Sequence, residues 1–169
     1  GYKVITLGSS AGGYASALFG PKLGAIQSIC FNGQFCLQRL VDESTPTISP
    51  ILYSMYKSSS GGASNILSNK SIHTPIFYVY SDRSKWDIEQ HEFTKSFSYV
   101  RCIEFKSSKH GIPFLKVALS KFINLEVEEM ERLTRCKHRP LFFTIKQVGI
   151  YKTFLGFISQ AYKAYKKRR

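Results

Sequence analysis

A chain of 169 residues, 43% hydrophobic and 21% charged, has room for one domain with a real core and is globular in composition. The net charge is +13, but nine Lys or Arg and no acid lie between Lys137 and Arg169, so the other 136 residues carry only +4. No run of about 18 apolar residues occurs, which excludes a membrane-spanning helix. The four cysteines (Cys30, Cys36, Cys102, Cys136) show no tight pairing and no metal-ligand spacing. They read as reduced thiols in a reducing, cytoplasmic compartment, with no metal and no cofactor implied. The chain opens Gly1-Tyr2-Lys3, without Met or a secretory leader, and reads as a cut. Asn69-Lys70-Ser71 matches a glycosylation sequon and, without an export signal, is read as noise.

Lys3 to Leu7 is apolar and β-branched and predicts a short buried strand ended by Gly8. A sharp turn is expected over residues 8–13, then a small-residue helix over Tyr14 to Leu18 that stops near Gly20-Pro21. Ala25 to Phe31 predicts a second buried strand, closed by the turn Asn32-Gly33. Residues 34–71 are rich in Ser, Thr, Asn, Gly and Pro and too long for a plain connection; they read as an inserted, cap-like segment. Pro75 to Tyr80 predicts a third strand, Trp86 to Phe97 a helix, and Tyr99 to Phe105 a last strand. Leu115, Ala118, Leu119 and Phe122 have helical spacing after Pro113, and a charged helix follows near Glu126 to Glu131. Strands alternating with helices predict an α/β domain with a mostly parallel sheet and flanking helices over residues 1–135, followed by a basic aromatic extension over 136–169.

Gly8-Ser9-Ser10-Ala11-Gly12 matches G-x-S-x-G between a predicted strand and a predicted helix. Such a turn projects the hydroxyl of Ser10 above the sheet edge. Small residues at Gly8 and Gly12 are expected to let strand and helix approach. The N–H of Ala11, at the helix start, is placed to donate to a developing oxyanion. A dinucleotide site is disfavoured because G-x-G-x-x-G spacing is absent, and a P-loop is excluded because Gly-Lys-Ser/Thr is absent.

A serine nucleophile needs a base and the base an orienting acid. His110 follows the last predicted strand, in a loop before a packing helix. His73 precedes a strand, His91 lies inside a helix, and His138 is in the basic extension. Two acids follow the third strand, Asp82 and Asp87. Asp82 is slightly preferred, and both stay open.

Taken together, Ser10, the Asp82/Asp87 loop and His110 resemble the α/β-hydrolase family over roughly residues 2–125. The run from Gly8 to Gly20 is similar to bacterial members associated with capsule or surface-polysaccharide synthesis. The resemblance implies a serine hydrolase cleaving a carboxylic ester of a small or glycan-linked acyl substrate. It also implies strands before the nucleophile strand, N-terminal to Gly1, and a second oxyanion donor from among them. The family acid would fall between Asp82 and Asp87, at Ser84. An acyltransferase would use the same residues, and a non-catalytic accessory protein in surface-glycan assembly is the rival reading.

Over residues 141–169, aromatic and aliphatic residues interleave with lysines and end in Lys166-Lys167-Arg168-Arg169. This pattern suits an anionic membrane surface, which would make the protein peripheral at the inner face of the membrane. A protein partner is the alternative. Nucleic acid is the weakest reading, because no binding module surrounds the charge.

Overall fold

The computed structural model of the chain describes residues 1–36 and 73–167. Among these, four strands form one parallel sheet in chain order: β1 (Ile5–Ser9), β2 (Gln27–Phe31), β3 (Ile76–Ser81) and β4 (Val100–Phe105). Helix α1 (Ala11–Lys22) connects β1 to β2, and α2 (Lys85–Thr94) connects β3 to β4. After β4 come a 3-10 turn (Lys116–Ala118), α3 (Leu119–Ile123), α4 (Val127–Leu133), α5 (Pro140–Val148) and α6 (Ile150–Lys167). The result is a small α/β domain with helices on both sheet faces. The inserted segment expected over 34–71 falls outside the described residues except at its start. There the N–H groups of Phe35 and Cys36 both donate to Gln90 Oε1 of α2, at 2.7 and 2.8 Å.

The period-two alternation of strand side chains explains the layering. Ile29, Phe31, Phe77, Val79, Ile103 and Phe105 point to one face, where they meet Phe114, Ala118, Phe122, Met130 and Phe143. Cys30, Ile76, Tyr78, Tyr80 and Val100 point to the other, where Ala17 of α1 and Phe35 cover them. Both central strands are buried along their whole length, as expected of a parallel sheet covered on both sides. The basic extension is partly built into this core. Phe143 stands among Phe105, Phe114 and Phe122, and His138 pairs with the edge of β4 through Lys106 N–H to His138 O (2.8 Å) and His138 N–H to Glu104 O (2.9 Å).

Two expectations are corrected. The first strand is not buried: β1 is an edge strand among the described residues, with Val4, Ile5 and Leu7 exposed, because β2 pairs with it on one side only. Helix α1 begins at Ala11, ahead of the expected Tyr14, and ends at Lys22, next to the expected stop at Gly20-Pro21. Pro21 falls in its last turn, where Leu23 N–H still closes onto Phe19 O at 2.9 Å.

The cysteines behave as expected of reduced thiols. All four are free; Cys30 is buried and Cys136 exposed. Burial pushes the Cys30 thiol up to about 12, so it is an inert core residue rather than a nucleophile. No group of three or more His, Cys, Asp or Glu that could hold a metal occurs among the described residues.

Candidate active site

The C-terminal ends of β1, β2, β3 and β4 open at one sheet edge, where ligands of open parallel sheets bind. Ser10 sits there between β1 and α1, with φ 56° and ψ −122°. Few non-glycine residues adopt positive φ, and such a conformation carries a strain of about 1–3 kcal/mol. Its surroundings enforce it. The N–H of Ser10 donates to Phe31 O of β2 at 2.9 Å, and its carbonyl accepts from Gly13 N–H at 2.9 Å. The backbone is thus clamped from both sides and the side chain is turned out at the N-terminus of α1. Replacing Ser10 by Gly should relieve the strain against a smaller loss in chain entropy. The expected result is a gain of about 1 kcal/mol, or about 2–4 °C in Tm, which Ser10→Ala does not give. Thermal denaturation of the two variants checks this.

His110 reaches Ser10 from the loop after β4. Its Nε2 lies 3.3 Å from Ser10 Oγ and its Nδ1 lies 2.7 Å from Asp87 Oδ1. A carboxylate only accepts, so Nδ1 carries the hydrogen and Nε2 is left as the acceptor facing the serine hydroxyl. The imidazole is about one-third exposed, whereas the Asp87 side chain is 1% exposed. The ring also rests edge-on against Trp86, with centroids 5.7 Å apart.

Asp87 lies in the first turn of α2 and points back under the end of β3. Its Oδ2 accepts from Ser81 N–H at 3.3 Å and from the Asn32 side-chain amide, and its backbone carbonyl accepts from Tyr78 OH at 3.0 Å. A buried carboxylate needs such donors, and here they also fix its direction. The slight preference for Asp82 is therefore corrected. Asp82 directly follows β3, its own N–H still bonded to Phe105 O, and its carboxylate faces the other way. There it accepts from Ser107 N–H at 3.0 Å and pairs with Lys137 at 3.1 Å. Glu104 shares that lysine at 2.7 Å, and the hydrogen bonds that Lys137 donates to Glu104 and then to Asp82 raise its pKa. Asp82 ties the end of the sheet to the C-terminal extension rather than to the imidazole.

The other histidines lie elsewhere. His73 is exposed before β3. His91 stacks on Tyr80 at 4.4 Å, where burial lowers its pKa, and His138 sits 2.7 Å from Leu133 O. Ala11 is the first residue of α1, so its N–H has no acceptor within the helix.

Sequence reasoning missed two positioning residues. Asn32, buried at the end of β2 with φ 49°, donates to Asp87 and accepts from Gly111 N–H at 2.9 Å, so one side chain links the acid to the histidine loop. Ser81 Oγ donates to Lys109 O at 2.7 Å and pins that loop from the other side. The only sequence signal for Asn32 was an Asn-Gly turn after a strand, which marks backbone shape and says nothing of side-chain direction.

The arrangement is a relay from a buried carboxylate through an imidazole to a strained serine, and it is suited to nucleophilic catalysis. Comparison with protein-family models, with curated proteins and with solved structures found no match.

Proposed function

We propose that the protein is a serine hydrolase of the α/β-hydrolase type that cleaves a carboxylic ester. The single observation carrying this reading is His110, held by Asp87 on one ring nitrogen and meeting Ser10 with the other. His110 Nε2 takes the proton of Ser10 as Oγ attacks the ester carbonyl. The tetrahedral oxyanion accepts from Ala11 N–H at the positive end of α1. His110 then returns the proton to the leaving alkoxide, and Asp87 stabilises the transient imidazolium without itself being protonated. Water activated by the same imidazole attacks the acyl-serine, releasing the acid and freeing Ser10. An alcohol in place of water would make the same residues an acyltransferase.

A small or glycan-linked acyl ester is the proposed substrate class, on the resemblance of residues 8–20 to proteins of surface-polysaccharide synthesis. The free cysteines support a reducing, cytoplasmic setting. Among the described residues no helix is long and apolar enough to cross a membrane.

A fluorophosphonate probe tests the chemistry. Peptide mapping of the labelled protein should place one adduct on Ser10 and none on the adjoining Ser9. A folded protein that takes up no probe, or takes it elsewhere, sinks the proposal.

A further inference from the structure

Helix α6 is amphipathic in the reverse of the usual sense. The side turned to the domain is narrow and polar or small: Thr153, Gly156 and Gln160, spaced by three and four residues. At Gly156 the contact is so close that a Cβ would lie 2.7 Å from Val117 Cγ1. The opposite side carries Tyr151, Phe154, Leu155, Ile158 and Tyr162, again at spacings of three and four, and all are exposed, Tyr151 by 74%. An ordinary surface helix turns such a stripe inward.

What flanks the stripe indicates what covers it. Lys152, Lys163 and Lys166 lie along one border, and the groove between α6 and the 3-10 turn adds Lys109 and Lys116. No acid occurs from Arg132 to the end of the chain. A second copy would add another row of lysines, with no acid on either helix to neutralise them. A nucleic acid would meet the lysines but leave the apolar centre uncovered. Apolar centre, tyrosine ends and a cationic border together match the layered chemistry of a lipid interface: acyl boundary, headgroup level and anionic phosphates. We propose that the outward face of α6 docks in the plane of an anionic phospholipid surface, with its lysines on the headgroup phosphates. Lys109 is the chain neighbour of His110, so this docking surface borders the loop that carries the candidate base. The docking itself does not depend on the chemistry proposed for Ser10.

The test is co-sedimentation of the full chain with vesicles of phosphatidylcholine mixed with phosphatidylglycerol, and with phosphatidylcholine alone. Wild type and Ser10→Ala should bind the anionic vesicles equally and strongly, and the neutral vesicles weakly. Because each lysine near an anionic surface contributes about a five-fold factor, replacing Lys152, Lys163 and Lys166 by Gln should weaken binding by about a hundred-fold. The combined variant Phe154→Ser, Ile158→Ser, Tyr162→Ser should also lose binding; its substitutions are on the exposed side, so its melting temperature should stay unchanged. Equal binding to both vesicle types, or none to either, overturns the proposal. So does undiminished anionic binding by the serine variant, which would reduce the effect to charge alone. A concentration-dependent dimer that the serine variant abolishes, without vesicle binding, would assign the face to a second copy instead.

Discussion

Asp87→Asn should lower ester turnover, or the rate of inactivation by a fluorophosphonate, by about 10⁴-fold, whereas Asp82→Asn should leave both close to wild type. The asymmetry follows from hydrogen-bond roles. Asp87 is purely an acceptor, surrounded by three donors: His110 Nδ1–H, Ser81 N–H and the Asn32 amide. An asparagine there must turn its own NH₂ toward a donor or toward the ring. Turned toward the ring, it selects the tautomer with the hydrogen on Nε2, and His110 can no longer accept the proton of Ser10. Turned the other way, it meets Ser81 N–H and Asn32 with a donor and leaves a buried mismatch. The first outcome disables the base, the second removes the negative charge that stabilises the imidazolium, and both leave Ser10 in place. At Asp82 the partners are an exposed lysine and one backbone N–H, and the expected effect is small and on stability alone. Parallel measurement of both variants decides the acid. A collapse of activity in Asp82→Asn with Asp87→Asn unaffected would reverse the assignment.

The same pair of residues shows where sequence reading reaches and where it stops. The elbow was legible because strand, glycine-spaced serine and helix are neighbours in the chain, so local geometry alone turns Ser10 outward. His110 was legible because its address, a loop after the last strand and before a packing helix, follows from element order. The acid was not, because its position depends on helix phase. Asp82 is nearer the end of β3 in sequence, but α2 folds back under that strand end and its first turn aims Asp87 at the site. Distance along the chain misleads whenever a helix start reverses direction. Asn32 was invisible for a related reason: its contacts, to Asp87 and Gly111, are 55 and 79 residues away. The strands themselves were within two residues of their observed ends, since burial on both faces leaves apolar runs from Ile29 to Phe31 in β2 and from Ile76 to Tyr80 in β3. The exposure of β1 was not legible, because the same apolar run serves an edge strand or a central one.

The glycines of the elbow supply the second large effect, on stability as well as activity. The motif treats Gly8 and Gly12 alike, as residues kept small for close approach, and the structure separates them. A Cβ at Gly8 would lie 1.9 Å from Gly12 O and 2.2 Å from Gly12 C, both backbone atoms of the first turn of α1. Neither can rotate away, so Gly8→Ala must push strand and helix apart. A Cβ at Gly12 meets nothing within 4 Å. Gly8→Ala should therefore destabilise the fold by about 3 kcal/mol, the upper end of the usual cost of overpacking. It should also move Ser10 off His110, so probe labelling should fall even at temperatures where the variant remains folded. Gly12→Ala should do the opposite, gaining up to about 1 kcal/mol because alanine is the better helix former, with Ser10 still labelled. Denaturant unfolding and labelling rates on the two variants check both halves. A Gly12→Ala variant as damaged as Gly8→Ala would mean that the site needs open space beside Ser10 for its substrate rather than only room for α1 against β1.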